Sequence, residues 1–599
     1  MTSERIKVLL AAVVGVIAGL LLAPAAGKET RARLKAAGRA AKERAVDGLA
    51  EAQQRVERRQ ASASSRPGPE SSDYDVIVVG GGHNGLVAAA YLARAGRRVL
   101  VLERRPVVGG AAVTEEFFPG FKVSAVADGA GYLAPAIARD LNLRQHGLQM
   151  LPADPIVFAP QPDGSYLAIW RDSGRTAAEI ARFSPRDAAR YPQFVDQMNK
   201  IARVVAGLMA MAPPDLPQLS RGDLAGLLKL AGPVRSLGRD NLDQLLRVLP
   251  MSAADLLDEW FESEALKGAI AANSVRGITW GPREAGTVYT LLYRWAGSHN
   301  GLFRAGGTVK GGMGALAEAL ASAACSAGAE IRTGAEVAEI VMQNGRAAGV
   351  RLAGGEVITA AVVVANSDPR TTFLKLLNPL YLEQTFVRQV QHIKYRGAQA
   401  RVHLALRRRP QFAALNGAGP VGQLGSAIQI APDMEYLQRA YDPVKYGDMS
   451  ERPYLDGRIP SLADPDLAPP GQHVLSLTVQ YAPYHLRHGA WNDGQRQALG
   501  QRVIDTLAGY VPDIRDVILH CQVLTPLDLE QIYGLPEGNA NHGEMTLDQF
   551  LHMRPVAGYA RYRTPVQALY LCGAGAHPGG GVTGIPGRNA AREILKHTS

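Results

Sequence analysis

The chain has 599 residues, 47% of them hydrophobic, enough to bury more than one core and in the range of two to four domains. Its net charge of +10 is concentrated at the start: residues 1–60 hold twelve Lys/Arg against six Asp/Glu, and the remainder has a surplus of only four. With no basic patch paired to aromatic platforms, this balance argues against nucleic acid as a partner. The three cysteines, Cys325, Cys521 and Cys572, are far apart with no CxxC. That excludes a dithiol centre of sequence neighbours, a cysteine-rich zinc site and a disulfide framework, and points to a reducing compartment.

The first element is an uncharged run, "VLLAAVVGVIAGLLLAPAA", Val8 to Ala26. Its nineteen residues just reach the ~20 needed to span a bilayer. A cleaved signal peptide and a buried soluble helix are alternatives. A retained anchor fits best, because Lys28, Arg31, Arg33, Lys35, Arg39, Lys42 and Arg44 follow it. Cations on that flank favour the cytoplasmic side and oppose translocation. Residues 1–27 are therefore expected to form an apolar anchor helix. Residues 28–72 should form a basic exposed helix and then a flexible linker, "ASASSRPGPESSD".

The globular part begins at "YDVIVVGGGHNGLVAAAYLARAGRRVLVLERR". An apolar strand, a GxGxxG turn (Gly80, Gly82, Gly85), a helix closed by Gly96 and a second strand ending at Glu103 stand in register. Gly80 permits the tight turn, Gly82 lets backbone approach a pyrophosphate, and Gly85 lets the helix pack on the strand. N–H groups at the helix start, around His83 and Asn84, are expected to hold the phosphates. Glu103, with Arg104 beside it, should meet the ribose, the carboxylate accepting from both hydroxyls. The unit identifies an ADP moiety, of either FAD or NAD.

Next in order are "ERRPVVGGAAVTEE", with the pair Gly109–Gly110, and a helix-rich stretch over 131–300 that includes "LAGLLKLAGPVRSL" and "NLDQLLRVLPMSAADLLDEWF". Residues 311–369 read as an amphipathic helix followed by strands joined by Asn-Gly and Gly-Gly turns. In residues 376–555 the polar candidates are His542, Gln549 and Arg554; a satisfied loop histidine is the alternative for His542. No Ser/His/Asp set or metal cluster is visible.

The chain closes with "ALYLCGAGAHPGGGVTGIPGRNAAREIL": a strand, seven glycines in fifteen positions, and a helix. Gly573 and Gly575 suggest a second dinucleotide fold. Only twenty-four residues follow Gly575, however, short of the ~30 that a βαβ unit takes. The segment is expected to join the first domain instead.

Over residues 73–599 the chain resembles the phytoene desaturase-like flavoproteins of the amine oxidase superfamily, and within them the pyridine nucleotide-disulphide oxidoreductase domain-containing protein 2 branch. The resemblance is carried by "GGGHNGLVAAAYLARAG", "GGAAVTEEFFPGFK", "FESEALKGAIA", "GGMGALAEAL", "TPLDLEQIYGLPEGNANHGEMTLDQF" and "YLCGAGAHPGGGVTG". It implies an α/β Rossmann-like FAD-binding domain, discontinuous over 73–130, 301–375 and 556–599, with an inserted α+β substrate domain over 131–300 and 376–555. It implies FAD as cofactor, with Gly109 and Gly110 at the pyrophosphate and flavin end and the backbone of Val337 at the adenine. It also implies that Gly573, Gly575, Gly581 and Val582 lie along the flavin ring, where side chains would strike it. Many relatives have Arg after the Gly-Gly pair; here it is Ala111. His577 falls inside the flavin loop, so it is expected to shape that turn more than to act as acid or base. The tentative catalytic residues are His542, Gln549 and His577.

The activity implied is hydride transfer from a small apolar or amphipathic, lipid-like substrate to FAD, with a quinone or oxygen as acceptor. Animal relatives are regarded as mitochondrial. A flavin-binding regulatory or scaffold protein with little turnover is the alternative. Separately, "GLLLAPAAGKETRARLKAA" resembles small bacterial stress-associated membrane proteins, which implies membrane attachment with the flavin domain on the cytoplasmic side.

Overall fold

The computed structural model describes residues 72–129, 131–214, 239–304, 306–415 and 424–598, together with residues 232, 234 and 237. The chain divides into two compact units, Met1–Ser72 and Asp73–Ser599. The expected anchor, basic helix and linker fall in the first unit and lie outside the described residues, as does nearly all of "LAGLLKLAGPVRSL". Among the described residues, no helix is long and apolar enough to cross a membrane.

In the second unit β1 (Tyr74–Val79) runs straight into the glycine turn and helix α1 (His83–Arg94). The last four residues of β1 are buried, and α1 buries nine of its twelve. Such two-sided burial is what a continuous apolar strand under a helix requires. Strand β2 (Val99–Leu102) follows, then the hairpin of β3 (Thr114–Phe118) and β4 (Phe121–Ser124), turned at Gly120 with φ +81°. Strand β5 (Met150–Leu151) precedes β6 (Val157–Pro160) and β7 (Tyr166–Ile169). A helical stretch then contains Pro185–Ala210, Arg239–Val248, Ala253–Trp260, Glu264–Val275 and α2 (Thr287–Ser298).

After β8 (Thr308–Val309), which pairs with β5, comes α3 (Met313–Ser326). Strands β9 (Glu330–Arg332), β10 (Val337–Gln343), β11 (Arg346–Leu352) and β12 (Val357–Ala365) follow. The Asn344–Gly345 turn between β10 and β11 has φ +51° and +77°, the positive pair that a two-residue hairpin demands. Strands β13 (Gln399–Leu406), β14 (Ala427–Ile430), β15 (Tyr454–Arg458), β16 (His473–Gln480) and β17 (Ile518–Leu524) come next. The chain finishes with β18 (Leu569–Leu571) and α4 (Ile585–His597).

Two seven-stranded sheets result. The first has the order β10-β11-β12-β1-β2-β9, with β18 also on β12. Val76–Val79 of β1 pairs in parallel with Val99–Leu102 on one side and with Val362–Ala365 on the other. The long β12 serves two regimes: its first residues pair antiparallel with β11, and its last pair parallel with β1 and β18. The second sheet, β17-β13-β16-β15-β14-β6-β7, is antiparallel except for β14 against β6. Mixed sheets with helices packed against them make an α/β core with an α+β region beside it.

Candidate flavin site

The site grows from the carboxyl ends of three parallel strands, the edge at which open α/β sheets hold ligands. Gly80, Asn366 and Cys572 stand one residue past β1, β12 and β18. Backbone hydrogen bonds tie them: Gly80 N donates to Leu102 O (2.8 Å), Asn366 N to Val79 O (2.8 Å) and Cys572 N to Ala365 O (2.9 Å). The Asn366 amide also donates from Nδ2 to Gly80 O (3.1 Å).

Gly80 turns with φ +102°. A Cβ on Gly85 would lie 2.3 Å from Gly80 O, so only glycine lets α1 start this close to β1. The N-cap of α1 is Gly82, with no side-chain cap, so its first-turn N–H groups stay free for an anion. Gly82 forms a bridge to Gly109, and Gly110 brings its backbone against Gly82; the Gly-Gly pair has φ +117° and +60°. The two glycine turns therefore face one another at the start of α1.

Glu103 is buried, and its carboxylate accepts from Gly81 N (2.8 Å, Oε2) and Arg105 N (2.9 Å, Oε1). It braces the phosphate turn as well as having lone pairs to spare for a ribose. Arg104 turns its guanidinium away, donating to Ile532 O (3.0 Å), so only its backbone stays beside Glu103. Val337 opens β10 with its side chain buried. Asn84 is buried with Oδ1 unpartnered, and His83 Nε2 is likewise buried without a partner.

Most glycines of the last segment press on protein. A Cβ on Gly573 would meet Asn366 O at 2.5 Å, on Gly575 Pro369 Cδ at 2.3 Å, and on Gly587 Asn84 O at 2.1 Å. The reason is density: strand, loop and helix must nest against α1 and the end of β12. Gly581 is the exception. It has φ +91°, is exposed within an otherwise buried loop, and a Cβ there would meet only Thr583 Cγ2, at 3.7 Å. Its neighbour Val582 is buried.

Side chains from elsewhere hold this loop by its carbonyls. Tyr293 of α2 donates to Gly580 O (2.8 Å) and Tyr562 to His577 O (2.9 Å). Arg554, buried and without a carboxylate partner among the described residues, donates twice to Ala574 O (2.8 and 3.1 Å) and also to the carbonyls of Asn541, Gly543 and Glu544. It clamps the 541–544 loop to the glycine loop. Gln549 supports the same loop, donating to Lys394 O and Glu544 O (3.2 Å each). The His577 ring reaches the other way, its Nε2 on Leu208 O (3.0 Å), and burial lowers its pKa to about 4.

One imidazole, that of His83, bonds the Gly581 backbone, and a second, that of His542, lies close enough to act on it. Burial depresses His83 to about 4, against a hydrogen bond to the Gly581 backbone that pulls it up. The charge of nearby His542 adds to the depression. His542 is itself lowered by burial, which outweighs the upward pull of Asp368; its Nδ1 has no partner. His542 sits at φ +53°, its Cβ 3.6 Å from where a Gly575 Cβ would stand. Both rings are thus biased toward the neutral form.

Three residues were missed by sequence reading. Asn366 joins all three strand ends. Asp368 accepts from Tyr395 OH (2.8 Å) and leaves Oδ2 unpartnered. Glu544 is pushed up to about 7 by burial, with Oε2 unpartnered. The first two lie one and three residues past "VVVA", and the stretch just beyond a parallel strand was the available signal. Glu544 lies in a loop whose burial has no sequence signature.

An uncapped helix start against two glycine turns, an acid at the end of the second strand and one open glycine face are the parts of a dinucleotide-binding flavoprotein. The residues present fit FAD: free N–H groups for the pyrophosphate, Glu103 for the ribose and Gly581 for the ring.

The comparisons agree. Residues 85–595 match the family described as flavin containing amine oxidoreductase, and the chain belongs to that family. It is an FAD-dependent oxidoreductase. It is 40% identical to pyridine nucleotide-disulfide oxidoreductase domain-containing protein 2 of Rattus norvegicus, over 88% of this chain and 94% of the rat protein. It is 30% identical to a limonene dehydrogenase subunit of Castellaniella defragrans, over 88% and 95%. The fold matches the structure of putrescine oxidase bound to putrescine with a TM-score of 0.54 at 16% identity, covering 87% of this chain and 99% of that one. Residues 6–68 match the family described as YtxH-like protein.

Proposed function

We propose that this flavoprotein removes hydrogen from an apolar or amphipathic small molecule, the hydride passing to bound FAD and the proton to the imidazole of His542. The observation that carries this is the open Gly581 face beside His83, with His542 close enough to act on that ring, in a loop locked by Tyr293, Tyr562 and Arg554. Such a face favours an uncharged reacting centre and works by positioning. FAD supplies the two-electron acceptor. The chain orients the substrate, excludes water and holds the proton.

Among the tentative catalytic residues, His542 is the one proposed for proton transfer, through its free Nδ1. Gln549 and His577 spend polar atoms on backbone carbonyls and are proposed to position the loops. The likeness to a limonene dehydrogenase supports a hydrocarbon-like substrate class. The first sixty residues are proposed to tether the flavin domain to the cytoplasmic face of a membrane, near a quinone acceptor. The apolar run of residues 8–26 and the YtxH-like match support this.

The test is anaerobic titration of the purified yellow protein with terpenes, fatty alcohols, amines and nicotinamides, following loss of flavin absorbance. Bleaching by an apolar alcohol or hydrocarbon is expected. Bleaching by amines alone refutes the substrate class. No bleaching by any of them favours a flavin-binding protein with little turnover.

A further inference from the structure

Asp368 stands three residues past β12, at the strand ends from which the flavin site grows, and is 1% exposed. Its Oδ1 is fully engaged. It accepts from Tyr395 OH (2.8 Å) and from Thr371 N (3.0 Å), the second bond capping the short helix Pro369–Thr371. Its Oδ2 is buried without a hydrogen bond, and among the described residues no cation pairs with it. The guanidinium of the neighbouring Arg370 is committed elsewhere: it lies over the Tyr395 ring (4.4 Å) and pairs with Glu537 (2.8 Å). A buried carboxylate without a cation is costly unless a positive charge can arise beside it.

The imidazole of His542 is the place where one can arise. Pro369 and His542 press on Gly575 together: a Cβ there would lie 2.3 Å from Pro369 Cδ and 3.6 Å from His542 Cβ. A chain of hydrogen bonds also fixes the His542 turn relative to the carboxylate. Tyr395, whose hydroxyl holds Asp368, accepts at its carbonyl from the Asn539 side chain. Asn539 in turn accepts from His542 N at its backbone oxygen (3.2 Å) and from Asn541 N at Oδ1 (2.8 Å). Burial, and then the Asp368 charge, keep the Tyr395 hydroxyl protonated, so it remains a donor to the carboxylate. On His542 itself burial acts most strongly, against the charged form; the Asp368 carboxylate favours that form and Arg554 opposes it. His83 of α1 also faces this ring, and the two repel when both are charged. Asp368 is thus the carboxylate that favours a proton on His542, and His542 Nδ1 is likewise buried without a partner.

We infer that Asp368 is a positioning residue for His542: its carboxylate, oriented by Tyr395 and Thr371, balances the positive charge that His542 gains on taking the substrate's proton. This rests on the reading of His542 as the proton acceptor. The proton is held at His542 Nδ1, and Asp368 itself forms and breaks no bond. The experiment is an NMR titration of the FAD-loaded full chain carrying isotope-labelled histidine, from neutral pH down to the onset of unfolding. Loss of one resonance in His542→Gln assigns the ring. In Asp368→Asn, which keeps an oxygen for Tyr395 and Thr371, the His542 midpoint should fall by about one pH unit or more. Asp368→Ser, a neutral cap for the same helix start, should give the same fall and carries the test if the Asn variant does not fold. A purely structural role for Asp368 would lower the melting temperature and leave the midpoint at its parental value, and that result in either folded variant overturns the proposal. A parent ring that stays neutral to the onset of unfolding overturns it as well. No substrate is added and flavin reduction is not read, so failure here is distinct from failure of the hydride-transfer reading.

Discussion

Replacing Gly581 by alanine separates what the glycine loop does for the protein from what it does for the cofactor. At φ +91° an alanine is strained, by ~1–2 kcal/mol for an L-residue forced into left-handed backbone. There is no clash to add, since the nearest atom to the new Cβ, Thr583 Cγ2, is at 3.7 Å. The apoprotein should therefore still fold, with a modest drop in melting temperature. A flavin ring lying on this face has no such freedom. A methyl group pushes it off van der Waals contact, and FAD affinity should fall ~10- to 100-fold, or ~1.4–2.8 kcal/mol. Gly573→Ala is the contrasting control: its Cβ would sit 2.5 Å from the Asn366 carbonyl, so folding itself should fail. The assay pairs apoprotein melting with FAD titration followed by flavin fluorescence. If Gly581→Ala binds FAD with the parental dissociation constant, the ring does not lie on this face and the reasoning is wrong.

Arg554→Leu strands the carbonyls of Asn541, Gly543 and Ala574, while Glu544 O keeps Gln549; at ~1 kcal/mol each the loss approaches ~3 kcal/mol, and chemical denaturation should show it, with Arg554→Lys recovering less than half. Stability should fall below pH 6.5. His83 and His577 have folded pKa values of about 4 and His403 of about 3, so the unfolded chain binds three more protons there, while Glu544, raised to about 7, binds one in the folded state. The net of two protons gives ~2.7 kcal/mol per pH unit between about 4.5 and 6.5, lost as pH falls, and a flat denaturation profile across that window would contradict it. Deleting residues 1–60 should leave the flavin spectrum unchanged and release the protein from membranes. A truncated chain that still pellets would move the attachment elsewhere, and one that loses FAD would move the domain boundary.

Much of the fold was legible because its signals are local. The turn Gly80–Gly85 and the buried runs on either side fix β1, α1 and β2, and the Asn344–Gly345 turn fixes the hairpin after it. The assignment of Gly581 to an open face and of Gly573 to a packed one was not legible. Both are glycines in one loop, and only the position of Asn366, over two hundred residues earlier, tells them apart. The ion pairs of Asp128 and Asp456 with Arg276, Arg304 and Arg401 were invisible for the same reason: each residue looks like an ordinary surface charge until the fold brings them together. His542 and Glu544 acquire their shifts from burial in a loop, which no periodicity announces.

The first sheet has a consequence for how the protein is made. Strand β1 leaves the ribosome with Tyr74, but β12 reaches it only at Val357 and β18 only at Leu569. Until then the β1 edge that β12 will cover is an unpaired apolar strand, a template for the wrong partner. The glycine loop and α4 come last of all, and they carry the face proposed for the flavin ring. A nascent chain can thus have its phosphate turn formed for most of its synthesis while the ring still has nowhere to rest. Cofactor capture becomes a late event, and supply of FAD at the end of translation is the step at which aggregation and maturation compete.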